Sequence, residues 1–382
     1  MRWEKQTLGQ CARFINGRAY SQEELLDQGT PVIRIQNLNG GDRWYYSNLQ
    51  LPDDKYCVAG DLLFAWSASF GPYLWYGDRA IFRYHIWRIL PSPGVDKAFL
   101  YRLLEWITAR VKGASRGVAM LHMTKAGIEA WEVSIPPLPE QRRIAAILDQ
   151  ADALRAKRRE ALAQLDSLTH SIFTEMFGDY RTERLPWPTR TLEDVAAEMT
   201  IGLVRSAAEF GPDFETPYVR MNAIGQRGEF LPSLVMRTAV SADEFERYAL
   251  KPGDLLFNTR NSRELVGKTA LFRETGPYVF NNNLMRIRVK SAMHPEYVAA
   301  AFQTPFIQQE LEIRKAGTTS VFAIYARELK TVPIPVPPLA LQQTFATRIQ
   351  AVESLKATHR AALAESDALF AALQHRAFAG GL

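Results

Sequence analysis

AGDLLFAWS (Ala59–Ser67) returns as PGDLLFNTR (Pro252–Arg260), 193 residues later. Working outward, TPVIRIQNL (Thr30–Leu38) pairs with TPYVRMNAI (Thr216–Ile224) at an offset of 186. Downstream, IPPLPEQ (Ile135–Gln141) pairs with VPPLALQ (Val336–Gln342) at an offset of 201. Three matches in one order, at slowly growing offsets, describe two copies of one module with small insertions in the second. A period near 190 residues is too long for a solenoid, and 382 residues are too many for one ordinary core.

Each copy runs in the same internal order. A mixed region with short strand-like runs comes first: Val32–Ile35, Asp61–Trp66 and Ala80–Arg88, then Asp254–Asn258 and Leu284–Val289. Helical stretches follow near Lys97–Lys112 and Pro295–Arg314, the second due to break or kink at Pro305. Proline-rich punctuation, IPPLP or VPIPVPP, then precedes a long segment free of Pro and Gly. Those segments are Glu140–Phe177, ended by Gly178, and Leu339–Ala379, ended by Gly380. Proline before and glycine after is the asymmetry of helix boundaries.

The long segments carry coiled-coil spacing. Ile144, Ile147, Ala151, Leu154, Ala161, Leu165, Leu168 and Ile172 step by three, four or seven. Phe345, Ile349, Val352, Leu355, Ala362, Leu369 and Leu373 do the same. Arg158, His359 and Ser366 interrupt the stripes, either exposed by local drift or placed to fix register. Connectivity leads us to expect the second helix to fold back along the first. The fold class is therefore α+β: two similar mixed α/β modules joined by a long antiparallel two-helix coiled coil, a pseudo-two-fold internal repeat. About 40 residues at about 1.5 Å each span about 60 Å, which makes a ruler. The expected divisions are 1–136, 137–183, 184–337 and 338–382.

Composition and charge bound the function. Hydrophobic residues at 47% and charged residues at 23% are ordinary for globular proteins. No apolar run reaches about 18 residues, so no membrane span is expected. The start, MRWEKQTLGQ, lacks the apolar centre of a signal peptide, which points to the cytoplasm. Two cysteines, Cys11 and Cys57, make neither a disulfide framework nor a four-cysteine zinc site. The net charge of +5 divides as +3, −1, +2 and +1 over the four regions, a mild excess on the modules.

The sequence shows no recognisable catalytic motif. An adenine methyltransferase needs a glycine-rich cofactor loop and an Asn/Asp-Pro-Pro-aromatic motif. The Pro-Pro pairs here follow Ile135 and Val336, which carry no amide or carboxylate to hold an amine. Val266-Gly267-Lys268-Thr269 resembles the end of a phosphate-binding loop, but Ser262 stands where the first glycine belongs, so it reads as a turn. The six histidines show no metal-ligand spacing, and no D…ExK pattern marks a nuclease strand. What does stand out is Arg mixed with amides and aromatics. Arg34, Gln36, Asn37, Asn39, Arg43, Trp44 and Tyr45 form one cluster, with Arg220, Asn222, Gln226 and Arg227 as counterpart. Arg260 and Arg263 follow the second GDLLF, where the first copy has Trp66, Ser67 and Ala68. Arg reads guanine edges and Asn or Gln reads adenine edges, so Arg34, Asn37, Arg43, Arg220, Asn222, Arg260 and Arg263 are the candidate DNA contacts. The competing reading of each is polar loop surface.

The segment IPPLPEQRRIAAILDQADAL (Ile135–Leu154), with its FTEMFGD end (Phe173–Asp179), resembles the central region of type I restriction–modification specificity subunits. The TPxxRxxx strands and GDLLF turns resemble that family's target recognition domains. KAGTTSVFAIYARELKTVPIPVPPL (Lys315–Leu339) is similar to the end of a second such domain. The first copy departs from the Gly-Thr-Thr element, reading Gly113-Ala114-Ser115-Arg116-Gly117, and the second reads Pro338-Leu339-Ala340-Leu341-Gln342 for the usual Pro-x-x-Glu-Gln. The resemblance implies a subunit without catalytic residues, each domain reading half of a split double-stranded DNA target and the helices setting the gap. It implies two modification subunits, which methylate adenine with S-adenosylmethionine, and restriction subunits using ATP and Mg. No cofactor or metal is expected in this chain itself. Gln141 and Gln342 are the positions proposed to meet the modification subunit. A stand-alone nuclease or methyltransferase, and a protein-binding scaffold, are the alternative readings.

Overall fold

The computed structural model describes residues 3–114, 124–179, 187–317 and 320–379. The chain packs as two compact units, Met1–Glu160 with Arg360–Leu382, and Ala161–His359.

In unit one, Ala12–Asn16, Ile86–Pro91, Leu62–Ala65 and Gly71–Leu74 form an antiparallel four-stranded sheet in that order. A second sheet runs Tyr45–Ser47, Thr30–Ile33, Ala80–Phe82, Tyr56–Cys57, its central pair parallel. Unit two repeats the plan. Ala196–Ile201, Leu284–Val289, Leu255–Asn258 and Thr269–Leu271 form its four-stranded sheet. Met236–Thr238, Thr216–Val219 and Val279–Phe280 form the second, again with a parallel pair. Glu4–Thr7 pairs with Glu132–Ile135, as Thr189–Thr191 pairs with the proline-rich Pro333–Pro335, where a two-stranded ribbon tolerates missing N–H donors. Unit two also holds a small sheet of Arg260–Asn261, Phe322–Ala323 and Ala316–Gly317.

The expected run Ala80–Arg88 is two strands, because the chain changes sheets at the turn Arg83–His85. The expected strand Val32–Ile35 is Thr30–Ile33, and Ile35 opens a one-turn helix, Ile35–Leu38. The helical stretch after residue 294 is broken as expected: Pro295–Phe302 and Pro305–Glu312 are separate, with the Thr304 hydroxyl accepting the Ile307 N–H. Ser115, Arg116 and Gly117 of the first copy, and Thr318 and Thr319 of the second, lie outside the described residues.

The GDLLF turns show why those residues recur. Gly60 and Gly253 take φ of +88° and +96°, a region that favours glycine. The next residue closes the turn: Asp61 accepts the Val58 N–H at 2.9 Å, and Asp254 that of Lys251 at 2.8 Å. In unit two Asp254 also receives Arg288 at 2.7 Å, and Arg288 and the buried Arg286 share Glu198. Burial opposes ionisation of Glu198, but the Thr200 hydroxyl, Arg286 and Arg288 outweigh it and hold the carboxyl at about 2. Burial pushes the Cys11 and Cys57 thiols up, to about 11 and about 12, so both behave as small apolar groups.

The long helices are Leu138–Phe177 and Leu339–Ala379, 40 and 41 residues. In unit one Ile144, Leu148 and Ala151 of the first, with Phe370, Ala377 and Phe378 of the second, enter the module core. In unit two Leu165, Ile172, Phe173 and Phe177 do so with Phe345, Ile349 and Val352. The compact units thus take in parts of the expected spacer regions 137–183 and 338–382. Within unit one Arg155 pairs with Asp367 at 2.6 Å and stacks on Phe370 at 4.2 Å. Within unit two Lys356 pairs with Asp166 at 3.1 Å and Arg348 with Glu175 at 3.3 Å. Numbers rise on one helix as they fall on the other, so the pairing is antiparallel.

The seam itself differs from the expected stripe. The facing positions are Ile144, Leu148, Ala151, Arg155, Arg158, Leu162, Leu165, Thr169, Ile172 and Met176, all buried or half-buried. On the second helix they are Phe345, Ile349, Val352, Lys356, His359, Leu363, Ser366 and Phe370. Leu154, Leu168, Leu355 and Leu369 point outward, 57, 41, 47 and 55% exposed. The expected and observed stripes share Ile144, Ala151, Leu165 and Ile172 on the first helix and Phe345, Ile349 and Val352 on the second. They part because the inward neighbours at mid-helix are Arg155 and Lys356, which bury their stems and pair their charges.

Two outcomes follow. Leu165→Asp places a charge at a buried position and is expected to cost about 3 kcal/mol, while Leu154→Asp costs under about 0.5 kcal/mol. Equal effects on melting would contradict the seam. Glu198 is ionised below its ordinary range, so its contribution is full above about pH 4.3 and is lost as pH falls toward 2. The melting difference between wild type and Glu198→Gln should be constant above pH 5 and shrink below pH 4; a difference that grows on acidification contradicts the assignment.

Candidate nucleic-acid interface

The loop after Thr30–Ile33 is built by its own polar residues. The Asn37 amide oxygen accepts the Arg34 N–H at 3.0 Å, and its NH2 donates to the carbonyls of Gly41 and Arg43 at 3.2 and 3.0 Å. Arg34 donates to the Arg43 carbonyl at 2.6 Å and lies 4.4 Å over the Tyr45 ring. Asn37 is buried and Arg34 half-buried, so both shape the loop. Arg43 is exposed, its guanidinium 5.3 Å from the same ring. Asn39 donates to Ser69 at 2.9 Å and accepts the Tyr73 hydroxyl at 3.0 Å. This ties the loop to Ala68, whose φ of 55° is the one positive value on a non-glycine residue among those described. Gln36, Asn39, Arg43 and Ser69 line the resulting open concavity.

In unit two Arg220 is half-buried over Phe210 at 4.7 Å, and Asn222 is exposed. Arg260 is exposed on the strand that pairs with Phe322–Ala323. Arg263 is exposed but committed to Glu312 at 3.0 and 2.8 Å; Lys315 and Arg263 together hold that carboxyl below its ordinary range. Asn258 and Thr259 are buried, their neighbours across the turn supplying the partners. Arg43, Asn222 and Arg260 therefore present donors and acceptors outward, whereas Arg34 and Asn37 are internal supports.

Gln141 and Gln342 are not surface groups, contrary to expectation. Gln141 is 1% exposed: its oxygen accepts the Asp96 N–H at 2.7 Å and its NH2 donates to the Gly94 and Pro136 carbonyls at 2.9 Å. Gln342 is 0% exposed and repeats this with the His294 N–H and the Pro337 carbonyl, both at 2.8 Å. Each amide clamps the start of a long helix to its own module. A buried, fully engaged amide offers nothing to a partner.

The signal that the sequence reading passed over is a fourth repeat. FRYHIWRI (Phe82–Ile89) matches FNNNLMRI (Phe280–Ile287), and the differences concentrate in the turns Arg83–His85 and Asn281–Asn283. The Val266–Thr269 turn is no phosphate loop: Val266 and Thr269 are buried, and Lys268 donates to the Ile224 carbonyl. Among the described residues no group of three or more His, Cys, Asp or Glu side chains could hold a metal ion. Among them, too, no helix is long and apolar enough to cross a membrane.

Two segments, residues 1–164 and 185–365, match the family model of the type I restriction modification DNA specificity domain. The chain belongs to this family. It is a specificity subunit with two DNA specificity domains. The chain is 24% identical to the specificity subunit of the type I restriction enzyme EcoKI from Escherichia coli K12, over 75% of this chain and 64% of that one. It is 21% identical to the EcoBI specificity subunit of Escherichia coli, over 100% and 86%. Among solved structures, the S subunit of a type I system from M. genitalium superposes with a TM-score of 0.60 at 12% identity, covering 99% of this chain and 96% of that one. A chain from a study of complex assembly and conformational transition of the type I system superposes at 0.56 and 20% identity, covering 100% and 98%. The specificity subunit thus shares its whole fold with these chains.

Arg43→Ala and Arg260→Ala are expected to weaken DNA binding by the assembled complex about tenfold while leaving melting unchanged. Asn37→Ala removes the support of three backbone groups and should lower melting by an amount corresponding to about 2 kcal/mol. Unaltered DNA affinity in both arginine variants would remove those residues from the interface.

Proposed function

We propose that each module reads one half of a bipartite double-stranded DNA target, and that the long helices set the unread gap and carry the modification subunits. The observation that carries this reading is one backbone frame presented twice with different side chains at its outward loops. Two readers of one duplex would differ in this way, since base edges are told apart by side chains while the duplex geometry stays constant. The long helices, Leu138–Phe177 and Leu339–Ala379, are the elements that would set the gap in this reading.

The outward leucines support the partner reading. Leu154 and Leu369 are exposed within two residues of the Arg155–Asp367 pair in unit one, and Leu168 and Leu355 within two residues of the Lys356–Asp166 pair in unit two. Exposed apolar rows on a helix pair are where further helices pack. In this reading the chain supplies recognition. Methyl transfer from S-adenosylmethionine belongs to two modification subunits, and ATP- and Mg-dependent cleavage to restriction subunits.

Coexpression with its modification subunit followed by methylome sequencing should give one split adenine motif. Leu154→Asp with Leu369→Asp should release a modification subunit without lowering melting. A continuous motif, or methyl transfer by this chain alone, overturns the reading.

A further inference from the structure

The two turns at which the chain changes sheets are held by the same hydrogen bonds. Arg83 N–H donates to Ile33 at 3.0 Å, and Asn281 N–H to Val219 at 2.9 Å. Ile86 N–H returns to Arg83, and Leu284 N–H to Asn281, both at 2.9 Å. The third carbonyl is pinned from the neighbouring strand: His85 accepts Trp66 N–H at 3.1 Å, and Asn283 accepts Thr259 N–H at 2.9 Å. Gly17 and Gly202 lie against the turns, donating to Ile86 and Leu284 at 3.0 and 3.1 Å.

On this common frame the side chains differ in kind. The first residue supports the turn from within: Asn281 donates to the Tyr218 hydroxyl at 3.1 Å and accepts the Asn283 N–H at 2.8 Å. The second and third are half-buried or exposed. In unit one they are Tyr84, 40% exposed, and the half-buried His85, their rings tilted against each other at 3.8 Å, with Trp66 5.0 Å from the imidazole. The Trp66 indole N–H donates to the Tyr84 carbonyl at 2.7 Å, so the cluster is braced. In unit two they are the half-buried Asn282, whose amide oxygen accepts the Asn281 NH2 at 3.0 Å and leaves its own NH2 to donate, and the half-buried Asn283, beside the buried Thr259 and the exposed Arg260.

We propose that this turn is the specificity-determining element of each module: Asn282 and Asn283 read adenine edges in one half-site, while Tyr84 and His85, braced by Trp66, read the other. Resting on the function proposed above, it adds the residues that distinguish the halves. Amides suit the paired acceptor and donor of adenine, whereas a phenol and an imidazole offer single hydrogen bonds and apolar contact to a thymine methyl. A frame already rigid loses little entropy on binding, so a side-chain change alters base preference with little change in fold.

The test uses the full chain in complex with its modification subunit, read by methylome sequencing. The triple change Trp66→Thr, Tyr84→Asn and His85→Asn gives unit one the side chains that unit two carries at and beside this turn. The first half of the motif should change at one or two positions and the second half stay as in wild type. Asn282→Ala and Asn283→Ala, made singly, should relax only the other half, cutting discrimination by about tenfold to a hundredfold. If the triple variant does not assemble, the single variants decide. A wild-type motif in every assembled variant, or changes in both halves at once, overturns the proposal. Failure of the parent complex to methylate any split motif would instead remove the function on which it rests.

Discussion

Backbone passes so close to backbone at Gly17 and Gly202 that no side chain fits. A Cβ at Gly17 would sit 2.1 Å from the Arg83 carbonyl oxygen, and one at Gly202 2.4 Å from that of Asn281. This bare contact sets the distance between the strand entering each module and the turn by which the chain changes sheets. The parallel strand pairs, the pinned third carbonyl of each turn and the placement of the GDLLF strand beside it all follow. The frame belongs to main-chain atoms, and the side chains around it are left to vary.

A second set of polar contacts attaches the helices to that frame. Gln141 and Gln342 satisfy backbone groups on both sides of the proline-rich junction, where prolines leave carbonyls without helical partners. Unit one adds Arg102, 5% exposed, which holds Glu105 at 2.7 Å, Asp149 at 2.8 Å and Asp152 at 3.1 Å. Burial discourages its charge, but Glu105 and Asp149 more than restore it. Within each unit the helix pair is apolar where it enters the module core and ionic farther along, at Arg155 in unit one and at Lys356 in unit two. An apolar stripe permits neighbouring registers, whereas a buried cation must meet its carboxylate, so these pairs define one register.

The duplication, the sheets and both long helices were legible in the sequence because each rests on a short-range rule: repeated turn glycines, alternating strands, proline before and glycine after a helix. The helix faces were not, because the apolar tally favours Leu154 and Leu355 over Arg155 and Lys356, and only the partner helix reveals which side carries the carboxylates. Asn37, Gln141 and Gln342 misled for a related reason. An amide reads as surface or interface until the backbone groups it satisfies are seen. The turns Arg83–His85 and Asn281–Asn283 are marked in the sequence only by their flanks, Phe82 and Arg88-Ile89 against Phe280 and Arg286-Ile287, because the likeness of the turns themselves lies in backbone hydrogen bonds.

The central claim is that one frame carries two independent readers. The most direct measurement is the methylome of cells whose specificity subunit has residues 184–337 replaced by a second copy of residues 1–136. The account predicts a split motif whose two halves both carry the sequence formerly read by the first module. A motif that retains the original second half would contradict it.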